Sequence, residues 1–195
     1  MTKPTQQIID LFDAYTHGAL DRRAFMERLA RIAGGAAAAT ALLPLLANDY
    51  ARAQVVAEDD ARLATGETTF ETGGVDDAMT MPDAAGVETP LPYAPIVRAY
   101  HARPKNEAIA PAIIVIHENR GLNPHIRDIA RRVAVEGFHA FAVDMLSPFG
   151  GSPADEDRAR AMIGKLDAEK TTARLARIVE ALALRKTHQR KVGAV

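Results

Sequence analysis

The chain has 195 residues, 48% of them hydrophobic and 25% charged, with a formal net charge of -1. That balance suits one soluble globular domain with an added element, and the lack of any Lys/Arg run argues against nucleic acid as a partner. Cysteine and tryptophan are absent, which removes disulfides, thiolate metal sites and a cysteine nucleophile from these residues.

In chain order, Ile8, Leu11, Phe12 and Tyr15 fall at helical spacing and predict a short amphipathic helix over residues 5–19. Residues 21–53 read DRRAFMERLARIAGGAAAATALLPLLANDYARA. The pair Arg22-Arg23, followed by Phe25 and Met26, a weakly apolar run and Ala51-Arg52-Ala53, resembles a twin-arginine export signal. Small residues at Ala51 and Ala53 would let a signal peptidase bind the extended chain and cut after Ala53. The export machinery is then a partner, and a chain starting near Gln54 would work in a bacterial periplasm or outside the cell. The run from Ile32 to Ala47 falls short of the ~20 residues of a bilayer span. That argues against a permanent anchor, and an Ala-rich packed helix in a cytoplasmic protein is the remaining alternative.

Residues 54–195 form the second region. ETTFET (67–72) alternates as a short edge strand does, whereas the Pro- and Gly-rich residues 73–95 predict turns or a loop. IVRAYHAR (96–103) reads as a half-buried strand and AIIVI (112–116) as one buried on both faces. Asn123 is the expected N-cap of a helix with Pro124 in its first turn, an apolar stripe of Ile126, Ile129, Ala130 and Val133, and its end at Gly137. Arg127, Asp128, Arg131 and Arg132 are expected on its other side. FHAFAVDML (138–146) is the next buried strand, and Ser152 is a candidate N-cap after it. Residues 168–188 predict a long helix with Leu175, Ile178, Val179 and Leu182 on one side, and KVGAV (191–195) opens another strand. This rhythm predicts an α/β fold, a largely parallel sheet with helices on both faces. In such sheets chemistry gathers at the carboxyl ends of the strands, where His117-Glu118 stands.

The segment VIHENRGLNPHIRDIARRVAVEGFHAFAVDMLSPFGG (115–151) closely resembles the dienelactone hydrolase (carboxymethylenebutenolidase) family of α/β-hydrolases, in particular its exported members. The resemblance implies the N-terminal part of an α/β-hydrolase acting on small ester or lactone substrates without a cofactor. It assigns Glu118 the contact that activates the nucleophilic thiol, and Asn119 a backbone N–H in the oxyanion hole. Ester hydrolysis needs a nucleophile made reactive by a neighbouring base and N–H groups aimed at the developing oxyanion.

The family nucleophile sits in a Gly-x-Cys-x-Gly elbow that directly follows a strand like KVGAV, with Asp and His partners later still. None of these three is found in this chain. The only serines, Ser147 and Ser152, lie outside any Gly-x-Ser-x-Gly setting. The chain is therefore expected to be truncated before the elbow and inactive alone, a remnant or partner-binding fragment unless a C-terminal half exists as a separate or read-through product. Its last strand would then be an exposed edge.

Other readings stand beside these. His117, Glu118 and His125 invite a metal, but the zinc-protease helix needs His-Glu-x-x-His and position 121 is Gly121, so no metal site is expected. Glu118 could instead cap the helix at Asn123, and His101, His117 and His139 could be ordinary strand residues. Asp144 is expected to position a loop rather than join a triad. Arg120, Arg127, Arg131 and Arg132 are expected on a solvated helix face, with recognition of an acidic substrate as the alternative.

Overall fold

The computed structural model describes residues 5–16, 20–46, 54–73 and 75–195. The chain divides into two compact units, Met1–Ala53 and Gln54–Val195.

The first unit contains helices α1 (Gln6–Thr16), α2 (Arg22–Ala33) and α3 (Ala36–Leu46). The stripe on α1 buries Ile8 and Leu11 in a cluster with Phe25, Leu29 and Ala39. Gly34 and Gly35, at φ +85° and +144°, break the helix between α2 and α3, a conformation only glycine adopts freely. Among the described residues no helix is long and apolar enough to cross a membrane.

In the second unit, β1 (Leu63–Glu71), β4 (Ile96–Pro104), β6 (His139–Asp144), β5 (Ala112–Ile116) and β7 (Val192–Ala194) form one sheet in that spatial order. The pairings β5·β6 and β5·β7 are parallel, whereas β1·β4 and β4·β6 are antiparallel. The parallel expectation therefore holds for the β6-β5-β7 half. The remainder is antiparallel: β4 runs against β6 from Arg98 opposite Asp144 to Ala102 opposite Ala140, and β1 and β4 zip over nine residues, from Leu63 opposite Pro104 to Glu71 opposite Ile96. That ladder also starts β1 four residues before the predicted Glu67, with Leu63 buried.

Helix α4 (Pro124–Val135) covers one face, where Ile126 and Ala130 meet Tyr100, Ala102, Val115 and Ala142. Helix α6 (Ala168–Ala183) covers the other, where Ile178 and Leu182 meet Phe70, Val97, Ile114, Phe141 and Val143. Successive residues of β4 divide between the two clusters, as the two-residue strand period demands. Val179 leaves the expected α6 stripe and is 41% exposed. The predicted helix 168–188 ends at Ala183, and a separate 3-10 turn follows over Lys186–His188.

Residues 73–95 are not merely a loop. They contain the two-stranded ribbon β2 (Thr80–Pro82) and β3 (Glu88–Pro90), which buries Met79 and Met81 against Leu146, Phe149 and Met162. A two-stranded ribbon is all edge, so prolines at its strand ends cost few ladder bonds, and composition alone hides it. Asp77 ties the segment down, accepting from Lys170 Nζ at 3.1 Å and from buried Arg174 Nη2 at 2.9 Å. Asp155, not Ser152, caps α5 (Glu156–Gly164) by accepting the Arg158 N–H.

On α4 the polar side is also not uniform. Arg132 is exposed, but Asp128 and Arg131 are wholly buried, which for Arg131 corrects the solvated-face expectation. The cause is the chain at Val55-Val56, which runs over α4 and brings backbone hydrogen-bonding groups to them.

Candidate functional site

The carboxyl ends of β5 and β6 lie side by side because the two strands are parallel neighbours, Ile116 opposite Val143. From the first of them emerge His117, Glu118, Asn119 and Arg120, and from the second Asp144, Met145 and Leu146. His117 is buried, while Glu118 and Asn119 are exposed.

His117 ties the two strand ends together. Its Nε2 accepts the Met145 N–H at 3.2 Å, which leaves the ring proton on Nδ1, 2.8 Å from the Glu118 carbonyl oxygen. The neutral Nδ1–H tautomer thus satisfies both partners and fixes the backbone that carries Glu118. His117 is accordingly more than an ordinary strand residue. Glu118 does not cap α4, because Asn123 Oδ1 accepts the Ile126 N–H at 3.0 Å in the expected N-cap role.

A second tie lies a few residues on. Asp144 Oδ1 accepts the Ser152 hydroxyl at 2.7 Å and Oδ2 accepts the Ser152 N–H at 2.8 Å, while the Leu146 N–H reaches Oδ1 at 3.0 Å. The Ser152 oxygen in turn accepts the Leu122 N–H at 2.9 Å. Asp144 therefore holds the 145–152 loop, as its place in the sequence suggested, and through Ser152 it also holds the loop that carries Glu118. Gly121 makes this junction possible. Its φ is +70°, and a Cβ there would lie 2.2 Å from Ser152 Oγ and 2.7 Å from Ser152 Cβ.

The role of Ser152 was missed from sequence, where it reads as a helix cap. The available signal was a glycine pair and a serine eight residues beyond an aspartate at a strand end. A cavity of about 660 Å³ opens beside the junction, lined by Arg98, Leu122, Arg127, Asp144, Gly151 and Ser152. Arg127 is committed to Glu67 at 2.6 Å and lies 5.0 Å from the Tyr100 ring centre, and Arg120 pairs with Glu156 at 3.4 Å.

A second recess of about 470 Å³ is lined by His101, Arg103, His139, Phe141, Arg185 and His188. Burial, reinforced by neighbouring His139, Arg103 and Arg185, holds His101 down to about 4, and burial also lowers His188. Both rings pack on Phe141, His101 stacked at 5.1 Å and His188 edge-on at 5.5 Å. Among the described residues no group of three His, Cys, Asp or Glu side chains could hold a metal ion.

In the first unit, Arg22 and Arg23 open α2, whose N-cap Asp21 accepts the Ala24 N–H at 2.7 Å. Arg23 is exposed and pairs with Glu27 at 3.1 Å. Phe25 is buried, with the Tyr15 ring stacked on it at 4.6 Å. Ala51 and Ala53 lie outside the described residues.

The comparisons with known proteins divide along the same lines. The model of the Dienelactone hydrolase family matches residues 97–195, and a model described as YqhI-like matches residues 5–36, which span α1 and α2. The chain is 49% identical over 72 residues to the "Putative hydrolase fragment YghX" of Escherichia coli K12, a match covering 36% of this chain and 62% of that protein. It is 50% identical over 48 residues to a "Putative carboxymethylenebutenolidase" of the same organism, covering 24% of this chain and 18% of the relative. Among solved structures, the dienelactone hydrolase-like promiscuous phosphotriesterase P91 from metagenomic libraries superposes with a TM-score of 0.50 at 20% identity, over 68% of this chain and 48% of that one. The last likeness concerns the fold, and the chain spans about half the length of that structure. With the family model covering the sheet from Val97 onward together with both strand ends that build the junction, this chain belongs to the dienelactone hydrolase family, a family of hydrolases.

Proposed function

We propose that these residues carry the carboxylate and oxyanion side of a hydrolase acting on small ester or lactone substrates. The observation that supports this is Glu118 itself, an exposed carboxylate on a backbone fixed from both sides by His117 and by the Asp144–Ser152–Leu122 chain. In the reaction a thiol supplied outside these residues attacks the carbonyl carbon. The Glu118 carboxylate contacts that thiol and favours the reactive thiolate, and the Asn119 N–H donates to the oxygen on which charge develops. Rigid support matters because a donor or base displaced by even 1 Å loses much of its effect.

No cysteine is present in the 195 residues, so this polypeptide by itself is expected to show no turnover of a simple aryl ester. Turnover by the purified chain that Glu118→Ala abolishes would overturn that expectation. In a longer natural protein carrying the thiol, Glu118→Gln should lower kcat/KM by at least about 100-fold, as loss of a general acid or base does.

A partner-binding reading also has a specific observation behind it. The strand β7 pairs only with β5 among the described strands, so its other edge is open to a further strand.

For the first unit we propose a twin-arginine leader that directs the chain to the periplasm or beyond, with cleavage after Ala53. The sequence pattern Arg22-Arg23-Ala24-Phe25-Met26 supports it. The intact mass of the native protein is the test: a chain beginning at Gln54 supports export and processing, and a native chain that retains Arg22-Arg23 in an exported fraction excludes the cut.

A further inference from the structure

We infer that the buried carboxylate of Asp128 is the receptor for the new amino terminus made when the chain is cut between Ala53 and Gln54. The cut itself rests on the export reading, whereas the receptor rests on the second unit alone.

The N–H groups of Val55 and Val56 both point at one oxygen, Asp128 Oδ1, at 3.1 and 2.9 Å. Two successive backbone N–H groups converging on one point form a nest, a concavity that binds negative charge. Arg131 closes the arrangement by donating from Nε to the Val56 carbonyl at 2.8 Å. Asp128 is 1% exposed and Arg131 0%.

The arrangement nevertheless leaves one acceptor and one donor unmatched. Asp128 Oδ2 and Arg131 Nη2 both lack a hydrogen-bond partner although both are buried. The guanidinium comes only to 3.6 Å, and on the other oxygen, Oδ1. The other groups facing the pair are Glu58, exposed and 3.8 Å from Arg131 Nη1, and the Tyr100 hydroxyl at 3.4 Å from the same nitrogen. None of these donates to Asp128 Oδ2. An unmatched buried carboxylate oxygen is costly, because hydrogen bonds to charged groups are the strong ones.

The nitrogen of Gln54 is the next backbone nitrogen upstream of the nest. Val55 N lies 3.1 Å from Asp128 Oδ1 and one residue spans at most about 3.6 Å, so the Gln54 nitrogen lies within about 7 Å of that carboxylate. In the uncut chain it is a neutral amide with one hydrogen. Hydrolysis of the Ala53–Gln54 bond consumes one water and leaves a carboxylate on Ala53 and an ammonium on Gln54. That ammonium brings a full positive charge and three donors to the side of a carboxylate with a free oxygen. Processing thereby adds a second cation, on half-buried Gln54, beside the Asp128–Arg131 pair, and the cut chain holds residues 54–58 on α4 more firmly than the uncut one.

The test uses the full chain with residues 47–53 replaced by a protease recognition sequence whose cleavage leaves Gln54 first. The folded protein is cut, and its intact mass confirms the cut and an uncyclised Gln54. The new amine is then treated with an acylating reagent between pH 6 and pH 10. An ordinary α-amino group titrates at about 7.7–8.0, and raising it one unit leaves tenfold less free amine at neutral pH. The expected result is acylation about tenfold slower at pH 7 than for a peptide beginning Gln-Val-Val, with the rate profile displaced upward by about one unit. Asp128→Asn should restore the peptide's profile. Should that variant not fold, the wild-type protein unfolded in urea serves as the reference. Acylation at the peptide's rate, or slow acylation with an undisplaced profile, would overturn the proposal. Native protein found uncut at Gln54 would count against the export reading alone, because the engineered cut decides the receptor separately.

Discussion

Replacing Gly121 by alanine should be among the most damaging single-methyl additions in this protein. Two effects combine. At φ +70° a Cβ costs about 1–2 kcal/mol from backbone sterics alone. The added carbon would also lie 2.2 Å from Ser152 Oγ and 2.7 Å from Ser152 Cβ, so Ser152 must move. Moving it withdraws the acceptor from the Leu122 N–H and the donor from Asp144 Oδ1, and stranding a buried polar group costs about 1–3 kcal/mol. The sum is roughly 2–5 kcal/mol.

Gly150→Ala is the matched control, since Gly150 has φ +102° but nothing within 4 Å of its Cβ position. It should cost only the backbone part, about 1–2 kcal/mol. Urea denaturation of the full chain, followed by circular dichroism, compares the two. Adding Ser152→Ala to Gly121→Ala should recover part of the difference, because the 2.2 Å contact goes while the 2.7 Å contact stays. If Gly121→Ala proves no worse than Gly150→Ala, the junction is not the tight contact described above.

Asp144→Asn replaces one of two accepting oxygens by a donor facing a donor. It should cost about 2–4 kcal/mol in denaturation and speed hydrogen exchange at the Leu122 N–H. Arg174→Ala should destabilise by about 1–3 kcal/mol, since its loss leaves Asp77 Oδ2 without its donor while Lys170 still pairs with Oδ1. Burial pushes the Asp77 carboxyl up, but hydrogen bonds from Arg174 and Lys170 outweigh it and hold it below the ordinary 3.8. The stability it contributes is therefore present above that value and lost as pH falls below it, and Asp77→Asn should flatten the midpoint below pH 4. His101 behaves alike in direction for a different reason: its folded-state value of about 4 lies below the ordinary 6.5. Its neutral form supports the fold above pH 6.5, and that support drains away as pH falls toward 4. A thermal midpoint that declines over this range in the wild type and less in His101→Gln is the expected outcome.

The amphipathic helices were the most legible elements. The stripe Ile126, Ile129, Ala130, Val133 and the cap Asn123 give α4 nearly to the residue, because capping and periodicity are local properties. The both-face burial of HAFAVD, and of AIIVI up to Val115, is likewise local to a hydrophobic run, while Ile116 at the strand end is 39% exposed. The position of Glu118 and Asn119 at a strand end could also be read, since one strong strand and one strong helix cap bracket them. The antiparallel half of the sheet could not, because a half-buried strand alternates the same way whichever direction its neighbour runs. The β2–β3 ribbon escaped because its apolar residues, Met79 and Met81, are two isolated positions among prolines and glycines. The link from Ser152 to Leu122 and the pair Asp128–Arg131 escaped because their partners lie far off in sequence, 30 residues away for the former and at Val55-Val56 for the latter. Nothing in a linear pattern of polar residues says which of them the chain will return to cover.

The spatial order β1-β4-β6-β5-β7 also sets a timetable. Strands β4 and β5 are consecutive in the chain yet never touch, because β6 lies between them. At ribosomal speeds of about 5–20 residues per second, several seconds separate the emergence of Pro104, at the end of β4, from that of Asp144, at the end of β6. Throughout that interval β4 lacks its inner neighbour and the apolar run of β5 has no strand to lie against. The nascent chain is then at its stickiest, and whatever shields it, a chaperone or the ribosome surface, has to let go only after residue 144 has appeared.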